Sequence, residues 1–305
     1  MSTIKALSVN GLQVKISGKS LLDRVSFSLP PASKVALVGL NGAGKSTLLS
    51  ALTGKIRLHA GKVRFAELSP QDLAFKALLG VQQANMQPLK GMTVTDYLKF
   101  CWHIKSRSAK NWENALQVLV ERWGLGPIQN QLMTKLSQGN LQRVAIAQAF
   151  LPQNQFIFLD EPTQALDPFE QARFVKNVED LSSFSLCLFS SHHINEAVAA
   201  ADHVIMLHHG KLICLLNLKS EYQEWLLIDN NRATEIESIW RDSGMQLEFA
   251  GHRRSLYKLA ADGDNQFEIN QLKSNAQTNQ YPVEWLGKAS TAIMPLFSAL
   301  ANEAV

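Results

Sequence analysis

The stretch "GLNGAGKST", Gly39 to Thr47, packs three glycines, one lysine and two hydroxyls into nine residues directly after the apolar run "KVALV". Glycine has no side chain to clash, so a backbone carrying Gly39, Gly42 and Gly44 can curl and aim several N–H groups at one point. A helix starting near Lys45 would direct the positive end of its dipole at that point. Lys45 adds a full charge, Ser46 offers a hydroxyl that can ligate Mg²⁺, and Asn41, Ala43 and Thr47 complete the loop. The spacing fits the phosphate-cradling pattern G-x-x-x-x-G-K-[ST], placed after a strand as that pattern requires. Taken alone, a Gly-rich turn closing a strand would look the same.

Other stretches carry matching chemistry. "FIFLDEPT" puts Asp160 and Glu161 at the tip of a buried apolar run. The first carboxylate there can hold Mg²⁺ and the second can polarise an attacking water. "LSQGN" at 136–140 opens a helix, where Ser137 and the Gly139 N–H can form a second anion site, although an ordinary N-capped helix reads the same way. "SSH" at 190–192 ends another strand and places His192 where it could sense a γ-phosphate. Gln83, in "LLGVQQ", is a neutral amide able to ligate the metal.

These residues need strand ends to hold them. "KVALVG", "FIFLD" and "SLCLFSS" are continuous apolar runs suited to buried parallel strands. The helix from Lys45 should end at Gly54, a natural C-terminal cap. "TVTDYLKFCWHI", "NWENALQVLVERWGL" and "SQGNLQRVAIAQAFL" read as helices, a helix-rich insert over about 85–150. "PFEQARFVKNVEDL" is a further helix, and "HVIMLHHGKLICLL" reads as a hairpin turning at His209–Gly210. At the start, "IKALSV", "LQVKI" and "VSFSL" read as an antiparallel strand group. Strands alternating with helices predict an α/β fold, a mostly parallel sheet with helices on both faces. From about 217 the order becomes strand "WLLID", helix "ATEIESIWRDSG", strands "MQLEFAG" and "SLYKLA", helix "QFEINQLKSNA", strand "PVEWLG" and a final helix. That order predicts a small ferredoxin-like α+β unit.

The 305 residues suffice for one large or two ordinary domains, and 46% hydrophobic with 18% charged residues describes a soluble globular chain. A net charge of +4, with no Lys/Arg run, argues against nucleic acid as a partner. It is compatible with work beside an anionic membrane surface. Cys101, Cys187 and Cys214 are widely spaced in apolar context and read as reduced core thiols rather than a disulfide frame or zinc site. The start "MSTIKALSVNGL" lacks a signal pattern and no apolar run reaches bilayer length, so a cytoplasmic chain is expected.

In chain order, "GLNGAGKST", Gln83, "LSQGNLQR", "FIFLDEPT", "ALD" at 165–167 and "SSH" resemble the nucleotide-binding subunits of ABC transporters over roughly residues 1–216. The resemblance implies a P-loop ATPase cassette with an antiparallel β subdomain and the helical insert, followed by an accessory domain over 217–305. It implies ATP and Mg²⁺ as cofactors. Gly39, Asn41, Gly42, Ala43, Gly44, Lys45, Ser46 and Thr47 would bind phosphates; Ser46, Gln83 and Asp160 would hold the metal. Glu161 would be the general base, His192 the γ-phosphate sensor and Lys45 a further catalytic group. Ser137 and Gly139 would serve the nucleotide of an opposite subunit, a second copy or a related ATPase, with Asp167 communicating across the interface. The implied partner is an integral membrane permease, with the chain peripheral on the cytoplasmic face of the membrane. "IAQAF" and His193 after "SSH" look like ABC-2 type export subunits, and "AIMPLFSAL" at 292–300 is similar to their tail in its apolar positions. The alternative is a soluble ABC ATPase that drives assembly of a cytosolic complex such as iron–sulfur machinery. Three departures stand out: Ile16 replaces an aromatic expected to stack on adenine, which implies loose base selectivity; Gln138 and Asn140 stand in the signature for Gly and Gln; and Gln164 replaces a common serine.

Overall fold

The computed structural model describes residues 7–84, 86–105, 111–181, 185–220, 223–230, 245–250, 254–260, 274 and 283–303. Strands β1 (Leu7–Ile16) and β2 (Lys19–Leu29) lead into β3 (Lys34–Val38) and helix α1 (Lys45–Leu52). Next come β4 (Ala60–Phe65), α2 (Leu73–Ala77) and β5 (Leu79–Gln82). Helices α3 (Val94–Lys105), α4 (Trp112–Arg122) and α5 (Gln138–Ala149) precede β6 (Phe156–Leu159). The order continues α6 (Pro168–Glu179), β7 (Leu186–Ser191), α7 (Ile194–Ala200), β8 (His203–His208) and β9 (Lys211–Asn217). Strands β10 (Gln223–Asp229), β11 (Met245–Ala250), β12 (Arg254–Ala260) and β13 (Val283–Lys288) are followed by α8 (Ala289–Glu303).

The central sheet has the order β5-β6-β7-β3-β8-β9. All neighbours are parallel except the β8–β9 hairpin at the edge. The parallel strands are apolar at nearly every position because both faces are covered. Alternation then divides their side chains between two cores. Ala36, Val38, Ile157, Leu159, Cys187, Phe189, Val204 and Met206 face the helical side with α5, α6, α7 and the insert. Val35, Leu37, Phe156, Phe158, Leu186, Leu188, Ile205 and Leu207 face α1 and the three-stranded antiparallel sheet β2-β1-β4. The two segments expected as separate opening strands join into the single strand β1. Its register slips between Val9 and Leu12, where Gly11 takes φ 59°, so a bulge replaces the expected turn. Strand β4 and the one-turn helix α2 were not anticipated: β4 buries only Val63 and Phe65, and α2 only Phe75. Phe65 and Phe75 stack at 4.3 Å between ring centroids, and this contact holds both short elements on the sheet.

The insert joins the sheet at identifiable points. Helix α5 leaves the insert and packs along β5 and β6. Lys105, at the end of α3, donates to the Leu79 carbonyl and, at 2.9 Å, to Asn154 Oδ1, tying α3 to β5 and the approach to β6. Burial there lowers the Lys105 pKa to about 8.

The C-terminal strands form an antiparallel sheet of order β11-β12-β10-β13. Numbered within the unit, that order is the 4-1-3-2 arrangement of a ferredoxin-like sheet read from its other edge. The helices expected over "ATEIESIWRDSG" and "QFEINQLKSNA" lie outside the described residues. The sheet is apolar on both faces. Leu226, Ile228, Tyr257 and Leu259 make their own cluster. Trp225, Leu227, Leu256 and Leu286, with Ala292, Ile293 and Leu296 of α8, belong instead to the same cluster as Ile194, Ala197 and Ile213. Leu296 is 1% exposed. Leu296→Ala should therefore remove about 2–5 kcal/mol. Because the cluster is shared, calorimetry should show one cooperative transition moving down as a whole; an early tail transition with the main one unmoved would contradict this.

Candidate active site

Parallel pairing places four loop starts on one edge of the sheet. Val38 pairs with Ser191, Leu159 with Phe189 and Gln82 with Leu159, so the residues that follow these strands emerge side by side. Those residues are Gly39, Asp160 with Glu161, His192 and Gln83.

The loop after β3 curls under two constraints. Gly44 is the N-cap of α1 with φ 104°, and a Cβ there would sit 3.0 Å from Leu22 Cδ2 and 3.1 Å from the Leu21 carbonyl oxygen. No side chain caps α1. By contrast Ser137 Oγ accepts the Asn140 N–H (3.3 Å) to cap α5, and Asp167 Oδ1 accepts the Glu170 N–H (2.9 Å) to cap α6. The first-turn amides of α1 thus face a cavity of about 520 Å³ lined by Asn41 to Thr47 and Glu161. Lys45 Nζ folds back onto the Gly39 (2.8 Å) and Leu40 (3.3 Å) carbonyls. Its burial lowers its pKa, while the Glu161 and Asp160 charges oppose that shift. An uncapped helix start with a buried ammonium suits a polyphosphate.

Ser46, Gln83 and Asp160 line an adjoining cavity of about 340 Å³. A hydroxyl, an amide carbonyl and a carboxylate are all oxygen donors, the set that a hard cation such as Mg²⁺ prefers. Gln83 Oε1 accepts from Lys55 Nζ at 2.9 Å, which uses one of its two lone pairs and leaves the other for a cation.

Asp160 and Glu161 are fixed by a residue that the motif reading passed over. Ser190 Oγ donates to Asp160 Oδ1 (2.8 Å) and accepts the Glu161 N–H (2.8 Å). On the other side Gln142 Nε2, from α5, donates to the Glu161 (3.3 Å) and Pro162 (3.0 Å) carbonyls. Glu161 takes φ 47°, a left-handed conformation held by these contacts from both sides. His192 Nδ1 lies 3.7 Å from Glu161 Oε2. The edge thus gathers an ammonium, two carboxylates and an imidazole around one anion-receptive helix start, which can bind a polyphosphate and activate water beside it.

A family model described as ABC transporter matches residues 22–164. The zinc import ATP-binding protein ZnuC of Buchnera aphidicola subsp. Schizaphis graminum is 32% identical over 218 residues, covering 69% of this chain and 83% of the relative. The chain belongs to the ABC transporter ATP-binding proteins. It is an ATPase coupled to transport, with ATP and Mg²⁺ as its cofactors. The uncharacterized ABC transporter ATP-binding protein YdbJ of Bacillus subtilis is 28% identical over 221 residues, 71% of each chain. The ATP-binding cassette MJ0796, solved as a dimer in a post-hydrolysis state with ADP and Pi, superposes with a TM-score of 0.64 at 21% identity, covering 70% of this chain and 99% of that one.

Not every expected site residue meets the others. Ser137 and Gly139 do not line the loop cavity; they sit at the start of α5, where a Cβ on Gly139 would lie 3.0 Å from the Ala165 carbonyl oxygen. Ile16 is 52% exposed and is absent from the cavity lining, which instead includes Lys19, Ser20, Leu21, His209 and Gly210. Ser190, Gln142 and Lys55 gave no signal in the linear pattern, since each acts through a partner distant in sequence. Ser190→Ala should leave the Glu161 N–H unpaired, an expected loss of about 1–3 kcal/mol of stability. Turnover should fall with ATP affinity nearly unchanged, which steady-state kinetics beside equilibrium binding will separate.

Proposed function

We propose that this chain is the ATP-hydrolysing subunit of a membrane export system, acting on a separately encoded integral permease from the cytoplasmic face. The observation that carries the proposal is the sheet edge that brings Lys45, Ser46 and Glu161 to one cavity, with Asp160 beside Ser46 and His192 beside Glu161, while Ser137 and Gly139 stay outside. Gly39 and residues 41–47 would bind the phosphates, and Ser46, Gln83 and Asp160 would hold Mg²⁺, which would supply charge neutralisation on the phosphate oxygens. Glu161 accepts the proton of the attacking water, and His192 orients on the γ-phosphate. Lys45 neutralises charge that builds on the phosphates. Ser137 and Gly139 complete the site of a second subunit, so two chains pack head to tail. Export is supported by "IAQAF" and His193; several relatives carry zinc import in their names, so direction is the part that transport assays must decide. The division into an ATPase unit over 1–216 and an accessory unit over 217–305 belongs to the same proposal.

Among the described residues no helix is long and apolar enough to cross a membrane, so coupling requires a docking surface. Met86, Pro88 and Leu136 line a cavity of about 510 Å³ between the segment after Gln83 and α5, and Leu89 nearby is 39% exposed. Flexible methionine suits an adaptable seat for a partner helix.

Two experiments test the proposal. Glu161→Gln should retain ATP binding, lower turnover by roughly 10²–10⁴-fold and accumulate an ATP-bound dimer by sedimentation. Wild-type turnover in that variant would remove Glu161 as the base. Replacing Met86 and Leu89 by Asp should abolish recovery with the permease-containing membrane fraction while basal ATP hydrolysis continues. Unchanged membrane recovery would exclude this surface, and a stable soluble partner complex in place of membrane recovery would favour an assembly ATPase.

A further inference from the structure

The cavity beside α1 reaches past the phosphate loop to two hairpin turns. One joins β1 to β2, where Ile16 pairs with Lys19 across Ser17 and Gly18. The other joins β8 to β9, where His208 pairs with Lys211 across His209 and Gly210. Both turns carry positive φ at both central residues: 49° and 78° in the first, 45° and 75° in the second. That is the requirement of the two-residue hairpin turn that follows strand twist. Asn is a common residue at the first central position; here it is His209.

The second turn is wedged into the site. The Gly210 N–H donates to the Ala43 carbonyl (2.9 Å), and the Gly210 carbonyl accepts the Asp23 N–H (2.9 Å). A Cβ on Gly210 would lie 2.4 Å from the Leu21 carbonyl oxygen, so β2 and the phosphate loop close on this turn with no slack. His209 is thereby held at the cavity wall, its ring meeting that of His208 at 69° with centroids 4.2 Å apart. Among the described lining residues His209 has the aromatic side chain; the others beyond the phosphate loop are Lys19, Ser20, Leu21, Gly210 and Glu161. The part of ATP that the loop does not hold is the ribose and the base. A purine ring is recognised by stacking on an aromatic face.

We propose that His209 is the residue that contacts the adenine ring, through an aromatic face supplied by the β8–β9 turn rather than by the β1–β2 turn where Ile16 stands. This rests on the cavity being the ATP site, so the experiment tests the two separately. Binding of ATP and of inorganic tripolyphosphate, which has the phosphates without the base, is measured by calorimetry on the full chain. His209→Asn removes the aromatic ring while keeping a residue that tolerates the turn. It should weaken ATP binding about tenfold (~1.4 kcal/mol) and leave tripolyphosphate binding unchanged. His209→Tyr should restore ATP affinity, and Ile16→Ala should change neither ligand. Unchanged ATP affinity in His209→Asn, or an equal loss for both ligands, would overturn the assignment. A wild-type chain that binds neither ligand would instead overturn the ATP site itself.

Discussion

Parallel pairing of β5, β6, β7 and β3 is the constraint on which the site depends. Each strand ends at or within two residues of its neighbour's end, so the segments that follow are neighbours although they are far apart in the chain. Parallel sheets require crossovers and cover on both faces. The alternate residues of these strands meet both needs, feeding one core shared with α5–α7 and another shared with α1 and the antiparallel sheet. Disturbing either core would tilt the edge and separate the carboxylates from the phosphate loop.

On that edge, hydrogen bonds between elements supply the finer positioning. Ser190 joins the end of β7 to the residues after β6, and Gln142 joins α5 to the same backbone. Glu161 is therefore held from the sheet and from the helix that opens at Ser137. A shift of α5 relative to the sheet would act directly on the backbone that carries Glu161. Close by, the half-buried Arg143, Glu170 and Arg173 connect α5, α6 and the end of α4: Arg143 Nε lies 3.2 Å and Arg173 Nη1 2.9 Å from Glu170, and Arg143 also donates to the Trp123 and Gly124 carbonyls. One half-buried carboxylate between two guanidinium groups ties these helices together at one point, even where the net gain in stability is small.

The sheet also receives the C-terminal unit, whose inner face and α8 complete the cluster that contains Ile194 and Ala197 of α7. Helix α7 begins two residues after His192, so the accessory unit packs against the element that leads directly out of the site.

The linear sequence by itself determined the chemistry and the class of fold. A glycine-rich loop after an apolar strand, carboxylates at the tip of another, and strand-length apolar runs alternating with helices are local patterns, and local patterns survive without knowledge of contacts. The order of the C-terminal strands was legible for the same reason. Tertiary structure alone decided which side chains hold those groups in place. Ser190 was visible only as part of a strand end, Lys55 as a surface lysine and His209 as one residue of a hairpin turn. Each matters because pairing register or turn geometry brings it to a partner remote in sequence: Asp160 and Glu161 for Ser190, Gln83 for Lys55, and the phosphate-loop cavity for His209. The single strand β1 illustrates the same limit, since its bulge at Gly11 is set by pairing with β2 and β4 rather than by residue type. Periodicity states which residues want burial; only register and packing state against what.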